Sequence, residues 1–265
     1  MRTVPEREEA HPMNVAVYTS REALGRAVAA RIVAEIRVNP HTVVGLATGS
    51  SPVAAYAAWG ELARAEELDQ SRVRGFALDE YIGIDPAHPE SFHAVIAREA
   101  VGPAGLVPEL VRVPRAATLA ESQAAGIEYE REMAQAGGVA IQILGVGRNG
   151  HLAFNEPGSD LESRTRGVTL TEETRADNAR FFDQPEQVPE HAITQGIDTI
   201  FQADELLVIA SGAAKAAAVA AALEGPETLE VPASLLRRHP RVRWFLDQAA
   251  AADLSSEALV LAQQA

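Results

Sequence analysis

The sequence predicts an α/β fold: one open, mainly parallel sheet with helices on both faces. Two observations carry this. Short β-rich apolar runs alternate with longer helical patterns from end to end, as in βαβ units. The segments richest in small and polar residues also fall just after those runs, at the carboxyl ends of strands, where open α/β sheets bind ligands.

The elements follow in chain order. Asn14 to Tyr18 is the first strand. Thr19-Ser-Arg-Glu22 has the spacing of a capping box, and Leu24, Val28, Ile32 and Ile36 then recur at helical spacing until Asn39-Pro40 stops the helix. Thr42 to Ala47 is the second strand, with Pro52 where the next helix begins. Further strands are expected at Arg74 to Leu78, Leu110 to Val113, Val139 to Val146, Leu206 to Ala210 and Val242 to Leu246. No internal repeat and no Ser/Gly linker interrupts the series, so residues 14–265 read as one domain behind a charged, disordered tail of residues 1–13. Residues 160–189 depart from the pattern, dense in Arg, Asp, Glu and Thr, and suit either a lid or a solvated excursion.

Composition removes several function classes. A net charge of −14 repels nucleic acid and anionic membrane. The longest apolar run, Ala216 to Leu223, falls far short of the ~20 residues of a membrane span, and the amino terminus carries no apolar leader. Cysteine is absent, which excludes disulfides, thiolate metal sites and cysteine nucleophiles and points to the cytoplasm. His88, His93 and His191 show no ligand spacing, so no metal is expected.

Three segments carry candidate chemistry. In Gly45-Leu-Ala-Thr-Gly-Ser-Ser-Pro52, Gly49 lets the backbone approach an oxyanion while Thr48, Ser50 and Ser51 offer hydroxyls and free amides, although a plain tight turn would use the same letters. In Leu78-Asp79-Glu80-Tyr81, alternation along extended chain sends the two carboxylates to different faces. One of them suits a shielded general base and the other a structural role. In Val146-Gly-Arg-Asn-Gly-His-Leu-Ala-Phe-Asn-Glu-Pro157, the glycines formally match a dinucleotide fingerprint. His151, Asn155 and Pro157 follow where a helix should open, so the loop reads instead as wrapping a ligand, with Glu156 steering the imidazole of His151.

Two cations complete the set. The only lysine of the chain, Lys215, follows Ser211-Gly-Ala-Ala at the start of a helix, and Arg180 lies in Asn178-Ala-Arg-Phe-Phe182. Either can meet a phosphate dianion; the compact ammonium of Lys215 could alternatively act as a Schiff-base nucleophile or be a chance survivor of arginine bias.

Together these segments, with His88-Pro-Glu-Ser91, Ser163-Arg-Thr-Arg166 and Val231-Pro-Ala-Ser-Leu-Leu236, resemble the glucosamine-6-phosphate deaminase family over about Asn14 to Leu254. The resemblance implies a modified Rossmann-like fold and conversion of glucosamine 6-phosphate and water into fructose 6-phosphate and ammonia, by a hydrolase acting on a C–N bond without cofactor. It further implies that His151 opens the sugar ring with help from Glu156 and Asn149, and that Asp79 moves the C2 proton. Thr48, Gly49, Ser50, Ser51, Arg180 and Lys215 would hold the phosphate. The expected partner is a small sugar phosphate, compatible with a homo-oligomer. Two positions depart from the family pattern: Asn149, where some members carry aspartate, and Val168, where regulated members carry a lysine for a second phosphate while Ser159 and Arg166 are retained. A 6-phosphogluconolactonase-like hydrolase and a non-catalytic sugar-phosphate sensor are the competing readings.

Overall fold

The computed structural model describes residues 14–182, 184 and 187–262. The expected tail of residues 1–13 lies outside them, as does part of residues 160–189. Strand β1 (Asn14–Tyr18) leads into helix α1 (Arg21–Val38), capped by Ser20, whose hydroxyl accepts from Ala23 N at 3.1 Å. The cap is thus Ser20, not the Thr19 of the expected box, because the helix starts one residue later. Strand β2 (Val43–Leu46), helix α2 (Val53–Ala65) and strand β3 (Arg74–Ala77) follow. After β3 the chain steps over Leu78 into a short strand β4 (Asp79–Tyr81).

Helices α3 (Phe92–Ile96) and α4 (Gly102–Ala104), joined by a π-turn, lead to strand β5 (Val111–Arg112) and helix α5 (Ser122–Gln135). Strand β6 (Ile141–Gly145) enters the long glycine loop, which ends at strand β7 (Arg166–Thr169) and helix α6 (Glu172–Ala179). The chain closes with β8 (His191–Thr194), α7 (Ile197–Phe201), β9 (Glu205–Ala210), α8 (Ala216–Leu223), β10 (Val242–Asp247) and α9 (Ser256–Ala262).

Seven strands form one sheet in the order β1-β10-β9-β6-β2-β3-β5, and every pair in it is parallel. From β1 through β2 and β3 to β5 the chain progresses one way along the sheet; from β6 through β9 to β10 it returns. With right-handed crossovers, the helices of the two halves lie on opposite faces. Packing of α2 against both α1 and α4 on one side agrees with this. Strands β2 and β6 are neighbours whose chains leave in opposite directions, so the crevice beyond their carboxyl ends is the topological switch point.

A second sheet, β4-β8-β7, is antiparallel and was not expected from the sequence. Its strands are three or four residues long, too short for period-two alternation to register, and one of them, β7, falls inside the polar stretch. Residues 160–189 are therefore only partly lid-like: β7 is a sheet strand, and α6 is the element that stands over the crevice.

Burial is concentrated under the large sheet, where Trp59, Trp244, Ile141, Ile143 and Leu144 are almost wholly enclosed. Two core tyrosines fix strand exits that lead to the crevice. Tyr56 OH bonds both the amide and the carbonyl of Ala47 at 2.9 Å, and Tyr129 OH donates to Ala77 O at 2.7 Å. Among the described residues no helix is long and apolar enough to cross a membrane.

Candidate active site

A cavity of about 370 Å³ opens at the switch point, lined by Ala47 to Ser51 after β2, Leu78 and Asp79 after β3, and Gly145 to Asn149 and His151 after β6. Ser211, Ala214 and Lys215 after β9 and Glu173, Thr174, Asp177, Asn178 and Arg180 of the α6 segment close it. Thus Thr48, Gly49, Ser50, Ser51, Asp79, Asn149, His151, Arg180 and Lys215, far apart in sequence, share one wall-to-wall space. Glu156 is not on the wall; it stands behind His151 and Asn149.

The two adjacent carboxylates separate as alternation requires. Glu80 turns away and accepts backbone amides from Tyr81 at 2.8 Å, Phe92 at 2.8 Å and His93 at 2.9 Å, tying the start of α3 to β4. Asp79 faces the cavity. Burial, with the neighbouring charge of Glu80, pushes its pKa up to about 8. A carboxyl so poised can exchange a proton near neutral pH, which an exposed aspartate cannot.

On the other side the loop after β6 builds an imidazole seat. Gly147 has no side chain because one would collide with the ring: a Cβ there would lie 2.3 Å from His151 Cε1 and Nδ1. Gly150 adopts φ +84° and places its carbonyl to accept from Ala233 N at 2.8 Å. Gly147 thus clears room for the histidine and Gly150 for the loop turn, while Gly145 and Gly147 also lie on the cavity wall.

Asn149 Oδ1 accepts from His151 N at 3.1 Å and Asn149 Nδ2 donates to Glu156 Oε2 at 2.9 Å. It therefore holds His151 by a hydrogen bond, through the backbone amide, and holds the glutamate as well. Glu156 Oε2 stands 3.6 Å from His151 Nδ1, and Thr174 Oγ1 donates to Oε1. Burial alone would raise the Glu156 pKa, but His151, Thr174 and Asn149 outweigh it and hold the carboxyl at about 2.

The cationic wall consists of Lys215, Arg180 and Arg148. Burial lowers the Lys215 pKa, the charge of Arg148 lowers it further, Asp177 opposes, and Arg180 lowers it again. Three cations, offset in part by Asp177, which pairs with Arg148 at 3.8 Å, and by Glu173, favour an incoming anion, and Thr48, Ser50 and Ser51 line the same space beside Gly49, at φ +91°. The loop before Lys215 is anchored by Asp247, whose carboxylate oxygens each accept Gly212 N at 3.0 Å.

Sequence reasoning missed Arg148, Ser211, Thr174 and Asp177 as cavity residues, along with the aromatic floor of Phe92 and Phe154, stacked at 5.8 Å. Arg148 carried a signal, lying between Gly147 and Asn149; the others did not, since only tertiary packing brings them in. Among the described residues no group of three or more His, Asp or Glu side chains is arranged to hold a metal.

An open α/β sheet with a proton-exchanging carboxyl, a carboxylate-backed imidazole and a cationic, hydroxyl-rich wall at its switch point defines an acid/base enzyme for a small anionic substrate. The comparisons narrow this. Residues 19–244 match the family described as glucosamine-6-phosphate isomerases/6-phosphogluconolactonase, and the chain belongs to that family. It is 48% identical over 247 residues to a glucosamine-6-phosphate deaminase of Bifidobacterium longum strain DJO10A, covering 90% of this chain and 92% of the relative. A glucosamine-6-phosphate deaminase of Rhodopirellula baltica is 44% identical over 246 residues, 93% of this chain and 98% of that one. Among solved structures, a monomeric glucosamine-6-phosphate deaminase superposes with a TM-score of 0.86 at 36% identity, over 91% of this chain and all of that one. The 6-phosphogluconolactonase of Trypanosoma brucei, at TM-score 0.72 and 22% identity over 92% of this chain and 99% of that one, shares the fold.

Proposed function

We propose that the protein converts glucosamine 6-phosphate and water into fructose 6-phosphate and ammonia, as a single-domain cytoplasmic enzyme acting on a small sugar phosphate. The observation that carries this reading is the juxtaposition in one cavity of Asp79, poised near pH 8, with the His151–Glu156 pair and three cations.

The phosphate binds to Thr48, Gly49, Ser50, Ser51, Arg180 and Lys215, and this remote binding energy positions C1 and C2 against the acid/base groups. His151, steadied by Glu156 and Asn149, moves a proton between the anomeric hydroxyl and the ring oxygen, opening the pyranose to the aldehyde. Asp79 then removes the proton on C2; the electron pair forms the C1–C2 double bond of an enolamine while the C1 oxygen gains a proton. Return of the proton from Asp79 to C1 leaves an imine at C2. Water adds to that carbon and ammonia departs, giving the ketose. The C2 ammonium of the substrate, arriving beside Asp79, favours the charged form of the carboxyl and so prepares the base. Each step is a proton transfer or a water addition, which these side chains supply without metal or redox chemistry. Val168 packs at the aromatic cluster around Tyr81 and Phe154, so no cation stands at that position to bind a second phosphate.

Ammonia release from glucosamine 6-phosphate, measured beside galactosamine 6-phosphate, tests the reading. Incubation of fructose 6-phosphate and ammonium in heavy water should place deuterium on carbon in the recovered sugar phosphate; turnover without label would remove Asp79 from the scheme, and a lactone hydrolase would give neither result.

A further inference from the structure

Helix α6 meets the proton-transfer machinery at one side chain. Thr174 is the buried residue of an otherwise solvated helix, and its hydroxyl donates to Glu156 Oε1. Its backbone amide is already satisfied by the helix cap, donating to Thr171 Oγ1 at 3.1 Å, so the side chain is free for this contact. Asn149 holds the other carboxylate oxygen at 2.9 Å. The carboxylate is thus pinned by one donor from the loop and one from the helix.

The pinned carboxylate stops short of its target. Glu156 Oε2 is 3.6 Å from His151 Nδ1, and that nitrogen is buried without a hydrogen-bond partner among the described residues. A modest movement of Glu156 would complete the bond, as catalytic hydrogen bonds often do only when substrate is present. The helix that holds Glu156 also ends on Arg180, its C-terminal cap and a residue of the cavity wall. An anion bound at Arg180 therefore acts on the same rigid segment that grips the carboxylate.

We propose that Thr174 is a positioning residue: phosphate bound at Arg180 seats α6, and the Thr174 hydroxyl carries that seating to Glu156, closing the Glu156–His151 hydrogen bond. The proposal rests on the sugar-phosphate reading of the cavity and adds that the phosphate, besides anchoring the substrate, switches the imidazole to full strength. Ligands lacking a phosphate leave the pair at its longer distance.

The direct measurement is the His151 imidazole nitrogen resonances during a pH titration of the wild type, Thr174→Val and Thr174→Ser, each with and without saturating inorganic phosphate. The other charges near the pair, from Arg148, Glu173, Asp177 and Lys215, are common to all three proteins and cancel in the comparison. Phosphate should move the wild-type Nδ1 resonance to that of a hydrogen-bonded nitrogen; at least half of that change should vanish in the valine variant and return in the serine variant. With glucosamine 6-phosphate, Thr174→Val should lower kcat about tenfold, part of the ~10²–10⁴ that a positioned acid/base group supplies, with KM within about twofold and recovery by serine. An equal phosphate response in all three proteins, no response in the wild type, or a serine variant as impaired as the valine one would each overturn the proposal. Should the wild type release no ammonia, the functional reading fails on its own, while the imidazole response to inorganic phosphate still decides the role of Thr174.

Discussion

Two carboxyl groups serve one cavity from opposite ends of the titration scale. On the β3–β4 side, Asp79 is enclosed beside a second carboxylate and is pushed up to about 8; on the β6 loop side, Glu156 is drawn down to about 2 by Asn149, Thr174 and His151. Both are acids in small polar motifs, and what differs is the supply of donors. Asp79 is left to exchange a proton, whereas Glu156 is committed to permanent charge and can only orient and stabilise. Environments that drive paired acids apart in this way assign their roles.

The largest effect expected from breaking the comparison is at Asp79. Asp79→Asn keeps the shape and removes the proposed base, so kcat should fall by at least ~10³-fold, toward the upper range for loss of a positioned acid/base group, with substrate binding nearly intact. Residual turnover within tenfold of wild type would reassign the base. Next is the opposite side: Gly147→Ala drives a Cβ into the His151 ring, and displacing the imidazole should cost about 10²-fold in kcat/KM, read by the same ammonia assay.

The pH profile sharpens the contrast. A base must be ionised, so kcat/KM, which reports the free enzyme, should rise with pH and level off above about 8 as Asp79 loses its proton. Glu156, already ionised above about 2, should add no inflection over the working range. Glu80→Gln removes the charge that helps raise Asp79, so the rising limb should move to lower pH; the backbone amides at Phe92 and His93 lose an ionic acceptor, which should cost about 1–3 kcal/mol of stability.

The smallest effect is thermodynamic. The folded state holds the Asp79 proton up to about pH 8, whereas the unfolded chain releases it near the ordinary aspartate value, so the group costs stability increasingly as pH rises between the two. Asp79→Asn should therefore melt higher than wild type at pH 9 and gain less at pH 5, where much of that cost is absent. Equal shifts at both pH values would show that Asp79 titrates normally.

How much of this was legible in the sequence depends on the range of the interaction. The seven parallel strands, the helix at Pro52, and the separation of Asp79 from Glu80 follow from local periodicity and alternation, which are encoded within a few residues. The pairing of His151 with Glu156 was also legible, because both sit in one short loop. The second sheet was not: β4, β7 and β8 are short and gain their identity by pairing across up to 115 positions, as with Asp79 and Thr194. Nor was the seat of Gly147, which looks like a ligand-binding glycine until the ring of His151 is found against it.

The sequence by itself determined the fold class, the strand-end location of the cavity and the residue types that line it, since propensity, charge and motif spacing are properties of contiguous chain. Only the tertiary structure decided that, among the described residues, Asp79 lacks donors while Glu156 has them, and that Thr174 on α6 is one of those donors. Desolvation and hydrogen-bond supply are set by what other segments bring to a side chain, and no stretch of sequence carries that information for its own residues.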